Sequence, residues 1–321
     1  MKILRTPEYA FNNIIDFPFK ENYYNTSDGL RVHYLDEGNP DHPLVLLLHG
    51  EPSWSFLCRT MIPILVDGGM RVIAPDLVGF GKSDKPAAQS DYTYAKHIDW
   101  MQEVVDHLEL KNINMFIQDW GGLIGLRLLT ANPDDFATVV AANTMLPTGS
   151  VTPTQAFLDW QNFAATSAKF DVATVLQMAT STTLSEDIIA AYNAPFPTEE
   201  HKEGARVFPA LVPTTENDPE SENNKKAWGV LTQWSKPFLC LFSDQDPITK
   251  GGDQVFQKLV PGTKGQEHQT ISGGHFLQED AGPEMATLMM QFYNKNKLLQ
   301  NETNCPLNPT YFSLVRKFSQ Y

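Results

Sequence analysis

Three side chains far apart in this sequence have the chemistry of a two-step substitution: an aspartate at 119, a histidine at 275 and a second aspartate at 246. Asp119 stands in Phe116-Ile117-Gln118-Asp119-Trp120-Gly121-Gly122, where an apolar strand over Asn114 to Gln118 ends and a helical pattern begins at Leu123. A sharp strand-to-helix turn of this kind lifts one side chain clear of a sheet, where it can attack a substrate. Most such turns carry serine, which needs a base to activate it. Aspartate, with an ordinary pKa of about 3.9, is already ionised at neutral pH. It can attack a tetrahedral carbon unaided, expel a leaving group and become an ester. His275 could then take a proton from the water that attacks the ester carbonyl, provided its imidazole is neutral. Asp246 would orient that imidazole and stabilise it once charged. Asp244, two residues earlier, is a rival for this last role, and Asp119 itself could be no more than a helix N-cap.

The leaving group is the discriminating part. An indole N–H donates and cannot accept, which in a dry pocket suits a halide. Trp120 adjoins the attacking carboxylate, and a second donor is available at Trp160, in Ala156-Phe157-Leu158-Asp159-Trp160-Gln161-Asn162-Phe163. Trp160 could equally be packing, since Phe157, Phe163 and Phe170 surround it in sequence. Backbone N–H groups of Glu51 and Trp120 are placed to hold the oxyanion of the second step. His49 reads as structural, its loop mattering for backbone shape, and Phe163 reads as pocket lining.

These residues need a scaffold that brings strand ends to one edge. Strands are expected at Leu30 to Leu35, Leu44 to His49, Arg71 to Ala74, from Asn114, and at Phe136 to Ala142, with helices at Phe56 to Val66, Tyr92 to Leu108 and from Leu123. The alternation implies βαβ units and a mostly parallel sheet flanked by helices, an α/β fold. It breaks after Asn143, where helical segments, loops and prolines follow. It resumes with a strand at Pro237 to Ser243, a helix at Gly252 to Leu259, a strand at Glu267 to Ser272 and a last helix from Pro283 to Asn294. The expected organisation is a core of residues 1–145 and 229–294, an inserted helical cap over 146–228, and a C-terminal extension over 295–321. Ligands of open parallel sheets bind at the carboxyl ends of strands. The loops at His49-Gly50-Glu51-Pro52, Asp119-Trp120, Asp244-Gln245-Asp246-Pro247 and Gly273-Gly274-His275-Phe276 should meet there. Nucleophile, acid, histidine is the chain order of α/β-hydrolases.

Bulk properties remove other classes. The 321 residues carry a net charge of −14, which disfavours phosphate-backbone binding and hence nucleic acid as a partner. The three cysteines, Cys58, Cys240 and Cys305, have neither metal-ligand nor disulfide spacing. They read as incidental thiols of a reducing, cytoplasmic compartment. Met1 to Phe19 has no signal-peptide pattern, and the longest aliphatic run, Leu44 to Leu48, is too brief to span a bilayer. No metal site and no cofactor is expected: Gly79-Phe80-Gly81-Lys82-Ser83 lacks the first glycine of a P-loop, and Trp120-Gly121-Gly122-Leu123-Ile124-Gly125 lacks that of a dinucleotide fingerprint. A monomer is expected.

Over nearly its whole length the sequence resembles the haloalkane dehalogenases of the α/β-hydrolase superfamily. The resemblance is carried by His49-Gly50-Glu51-Pro52-Ser53-Trp54, the segment Asp76-Leu77-Val78-Gly79-Phe80-Gly81-Lys82-Ser83-Asp84-Lys85-Pro86, Gln118-Asp119-Trp120-Gly121-Gly122, Ala194-Pro195-Phe196-Pro197 and Gly274-His275-Phe276. It implies Asp119 as nucleophile, His275 as base, Asp246 as acid, and Trp120 with Trp160 as halide clamp, in the subfamily whose second halide donor is a cap tryptophan. The partners implied are a small halogenated alkane and the halide ion. Three readings compete: an epoxide hydrolase, a cofactor-free oxygenase and a non-catalytic ligand receptor. Epoxide opening needs a proton donor, usually a cap tyrosine, and residues 146–228 contain only Tyr192.

Overall fold

Runs of five to seven apolar residues separated by turns are too short for core helices and fold here as strands buried on both faces. The computed structural model describes residues 1–299. Its strands are β1 (Ile3–Leu4), β2 (Asn22–Asn25), β3 (Arg31–Glu37), β4 (Leu44–Leu48), β5 (Arg71–Pro75), β6 (Lys85–Pro86), β7 (Ile113–Gln118), β8 (Phe136–Ala142), β9 (Phe238–Ser243) and β10 (Gln269–Ile271). Eight of them form one sheet in the order β10-β9-β8-β7-β4-β5-β3-β2, and β1 pairs with β6 apart from it. Every pairing from β10 to β5 is parallel, and β3 and β2 close the edge antiparallel. The mostly parallel, helix-flanked sheet expected from the alternation is present, in line with the α/β-hydrolase fold that the resemblance implies. Every residue of β4 and β7 is buried. Alternation of side chains sends Leu46, Leu48 and Ile117 into the core on one face and Val45, Leu47 and Phe116 into that on the other.

The helices are α1 (Ile62–Asp67), α2 (Tyr94–His107), α3 (Trp120–Ala131), α4 (Gln155–Thr166), α5 (Val172–Met178), α6 (Glu186–Asn193), α7 (Glu203–Leu211), α8 (Ser221–Leu231), α9 (Gly252–Leu259) and α10 (Leu277–Lys295). Helices α4 to α8 follow one another between β8 and β9 with no intervening strand among the described residues. Side chains set their starts: Thr154, Asp171 and Ser185 accept hydrogen bonds from the amides of Phe157, Thr174 and Ile188. No helix among the described residues is long and apolar enough to cross a membrane.

Several elements depart from the sequence expectation for identifiable reasons. The single helix expected over Phe56 to Val66 is a 3-10 turn at Ser55–Cys58 followed by α1, with Pro63 in its first turn. The last helix starts at Leu277, six residues before the proline that reads as its beginning; its backbone breaks at Ala281 (φ −145°, ψ 27°), so Pro283 follows a kink. Strand β2 (Asn-Tyr-Tyr-Asn) is a polar edge strand with no apolar run to announce it. Cys58 and Cys240 are buried and unpaired, and burial pushes the Cys58 thiol up to about 12. Cys305, and the expected extension beyond residue 299, lie outside the described residues.

Candidate active site

Asp119 stands between β7 and α3 with φ 51° and ψ −125°, a backbone region that costs a residue with a side chain of order 1–3 kcal/mol. The helix begins at Trp120 rather than Leu123, so the glycine pair is inside it. Gly121 is there for close approach: a Cβ on it would lie 2.2 Å from the Leu48 carbonyl oxygen. This tight seat puts the Asp119 carboxylate against the β4 loop. Its Oδ1 accepts from the Glu51 N–H at 2.7 Å, and its Oδ2 lies 3.3 Å from His275 Nε2. The Trp120 N–H is in the first turn of α3, where no intrahelical acceptor exists.

His275 Nδ1 lies 2.9 Å from Asp246 Oδ2. Asp246 is held in turn by the amides of Ile248 (2.9 Å) and Thr249 (3.2 Å) and by the Thr249 hydroxyl. Asp244 does not face the imidazole; its Oδ1 accepts from the Gly273 N–H at 3.1 Å. Burial opposes the charged form of both members of the His275–Asp246 pair. For His275 the charges and hydrogen bonds of Asp246 and Asp119 outweigh it and push the imidazole up to about 10. For Asp246 the neighbouring imidazolium outweighs it and holds the carboxyl well below the usual range. Glu51 goes the other way: burial and the adjacent Asp119 charge raise its carboxyl well above the ordinary value.

A cavity of about 330 Å³ lies above Asp119 and contains Glu51, Trp120, Trp160, Asp246 and His275 in its wall. Trp120 is fixed edge-on by Tyr94 and Phe208, at centroid separations of 5.0 and 4.5 Å. Trp160 comes from α4, with ring contacts to Phe163 and Phe170. Among the described residues, the indoles of Trp54, Trp100 and Trp228 each donate to a protein oxygen. Those of Trp120, Trp160 and Trp234 show no protein acceptor among the described residues, and Trp120 and Trp160 line the cavity. Phe163 was expected to line this space and does not. It is 36% exposed, while Phe157, one helical turn before Trp160, faces the cavity. Tyr192 is fully buried with its hydroxyl on Glu279, away from the cavity wall. His49 is structural: Nε2 accepts from the Leu77 N–H at 2.9 Å and Nδ1 lies 3.0 Å from the Gly50 carbonyl.

Two residues of this neighbourhood went unremarked in the sequence. Gln118 Nε2 lies 3.2 Å from His275 Nε2 and donates to the His275 carbonyl at 3.2 Å. Asn143, at the end of β8, donates from Nδ2 to the carbonyls of Gly274 and His275, both at 2.9 Å. Gln118 is the last residue of β7 and Asn143 directly follows the neighbouring β8. The available signal was positional: a polar residue closing an otherwise apolar strand at the sheet edge where ligands bind.

What the assembly can do follows from its parts. It holds an anionic oxygen with a donor on one side and a histidine–carboxylate pair on the other. The indoles of Trp120 and Trp160 line the same, mostly apolar cavity. Comparison with known proteins agrees with that chemistry. The alpha/beta hydrolase fold family matches residues 43–282. The chain is 58% identical to a haloalkane dehalogenase of Psychrobacter cryohalolentis over 92% of its own length and 99% of that protein. It is 45% identical to one from Mycolicibacterium paratuberculosis over 91% and 98%. Among solved structures it resembles the tetrameric haloalkane dehalogenase DpaA of Paraglaciecola agarilytica NO2, with TM-score 0.83 and 35% identity, covering 89% of this chain and 97% of that one. The geometry and these relatives together place the chain in the haloalkane dehalogenase family of the α/β-hydrolase superfamily.

Proposed function

We propose that this chain, as a haloalkane dehalogenase, converts a halogenated alkane to alcohol, halide and a proton through an ester on Asp119. Asp119 Oδ2 attacks the halogen-bearing carbon, the carbon–halogen bond breaks, and the halide leaves between the indole N–H groups of Trp120 and Trp160. Oδ1, already on the Glu51 N–H, becomes the oxyanion when water attacks the ester carbonyl, and the Trp120 N–H is its second donor. His275 takes the proton of that water, Asp246 steadies the imidazolium, and the proton leaves to solvent once the alcohol departs. The helices between β8 and β9 act as a cap, making Trp160 the second halide donor of the subfamily that uses a cap tryptophan. The observation that carries this reading is one cavity holding Asp119, His275 and the indoles of Trp120 and Trp160, neither of which has a protein acceptor. It also favours dehalogenation over epoxide opening, because the cap's tyrosine is spent on Glu279. A single chain supplies every group named, so a monomer suffices; light scattering separates it from a tetramer of the DpaA kind.

The clamp is tested directly by Trp160→Phe. Losing one preorganised donor costs roughly 3 kcal/mol in the transition state, about a hundredfold in kcat/KM. Bromide quenching of tryptophan fluorescence should weaken in step. A variant that keeps both within a factor of two assigns Trp160 to packing.

A second expected result concerns pH. His275 owes its elevation partly to the Asp119 charge, and alkylation removes that charge. The imidazole of the ester form therefore titrates below the free enzyme's value of about 10. Ester hydrolysis in single-turnover experiments falls as pH drops through that lower value. Stability follows the free enzyme. A folded pKa raised above the ordinary one gives stabilisation fully present below about 6.5 and lost as pH rises through about 10. Unfolding free energies of wild type and His275→Phe should converge over that window; a constant difference contradicts the assignment.

A further inference from the structure

The histidine turn is fastened to the cavity rim by one carboxylate that plays no part in the chemistry above. Asp280 is in the first turn of α10, before the kink. Its Oδ2 accepts from the Gly274 N–H at 2.7 Å and from the Ser181 N–H at 3.0 Å, and its Oδ1 from the Thr182 N–H at 2.7 Å. One side chain thus satisfies the amide immediately before His275 and two successive amides of the loop after α5. That loop is part of the cavity wall through Ala179, Thr180 and Ser181. The two segments also touch directly: the Phe276 N–H donates to the Ala179 carbonyl at 3.2 Å. Gly274 is pressed so closely on that carbonyl that a Cβ would lie 2.4 Å from its oxygen. Burial works against the Asp280 charge, but the three amides outweigh it and keep the carboxyl below the ordinary range. Charge-assisted bonds of this kind are the stronger class.

From this geometry we infer that Asp280 is a positioning residue, which sets His275 relative to the ester and locks the 179–182 rim to the same point. The inference rests on the reading of His275 as the base. The adjacent carboxylate reinforces the placement: Glu279 pairs bidentately with buried Arg59 and receives the Tyr192 hydroxyl from α6. The start of α10 therefore holds the helical insertion at two points, and Asp280 is the one that also reaches the catalytic turn. Displacing a reacting group by an ångström costs up to a hundredfold. Such a loss should fall on the step that uses His275 and spare the step that uses Asp119.

The test is a split of the two steps in Asp280→Ala and Asp280→Asn, with rapid-quench measurement of halide release and of ester decay on 1-bromobutane. Ester decay should slow by about tenfold to a hundredfold in Asp280→Ala, and less in Asp280→Asn, which keeps an acceptor oxygen. Alkylation should stay within about threefold of wild type. Hydrogen exchange in peptides spanning 179–183 and 273–276 should quicken in both variants. Equal slowing of the two steps, or unchanged ester decay, overturns the positioning role. If Asp280→Ala does not fold, Asp280→Asn decides by the same criteria, and unchanged exchange in it overturns the clamp. Failure of the underlying reading is recognised separately, because His275→Phe would then turn over without accumulating ester.

Discussion

His275→Phe releases one halide per active site and then stops, leaving a protein heavier by the alkyl group on Asp119. Steady-state turnover falls by about 10²–10⁴-fold, the usual contribution of a general base. The argument lies in which contacts the substitution removes. Phenylalanine keeps a flat ring in the same buried space but has no nitrogen to accept a proton from water. Asp119 loses one neighbour and keeps the Glu51 N–H on Oδ1, so its attack continues. Asp246 loses its imidazole and keeps the amides of Ile248 and Thr249 together with the Thr249 hydroxyl. The fold should therefore survive and the ester persist long enough for intact-mass measurement. Continued turnover near the wild-type rate, or halide release without a mass shift, would remove His275 from the second step.

Much of this was legible before any coordinates, and the pattern of what was not is physical. Asp119 and Asp246 were legible because each follows a strand of recognisable apolar character; before His275 the strand is short and polar, Gln269–Ile271, and the glycine pair 273–274 marked the turn instead. Glycines marked the same places, but with an ambiguity that local reasoning does not resolve. Gly121 and Gly122 read as a turn that delays the helix to Leu123. In fact the helix runs through them, because the space they leave is filled by the Leu48 backbone at Gly121 and by the Thr144 side chain at Gly122. The same limit hid Asp280. Its three bonds go to residues six and about one hundred positions away, and an acidic residue early in a helix looks like ordinary dipole compensation. Phe163 against Phe157 is a question of helix rotation. Both lie within six residues of one another on an amphipathic helix, and only the packing of α4 against its neighbours selects which ring faces the cavity. The polar strand ends Gln118 and Asn143 failed for a related reason: their value lies in the carbonyls of a turn more than 130 residues downstream.

Substitution of Asp119, the proposed nucleophile, gives the sharpest expected separation of stability from activity. Asp119→Gly should lose ester formation altogether, and halide release should fall to the uncatalysed level, a loss of at least about 10⁶-fold. The Asp246 carboxylate does not take its place, being committed to His275 and the Thr249 turn. Halide binding should nevertheless persist, since Trp120 and Trp160 are untouched and an anion has been removed from their cavity; iodide quenching of fluorescence should strengthen. Stability should hold or rise. Glycine adopts φ 51° and ψ −125° without the cost of order 1–3 kcal/mol that a side chain incurs there, and the Asp119 charge, which adds to burial in raising the Glu51 carboxyl, is gone. Against this stands the lost support for the His275 imidazolium, which Asp246 continues to supply from Nδ1. Chemical denaturation at pH 7 decides the balance. A variant less stable than wild type by more than about 1 kcal/mol, below the relief expected from the backbone alone, would mean that the elbow is not strained by its side chain. Residual multiple turnover would mean that another group attacks the substrate.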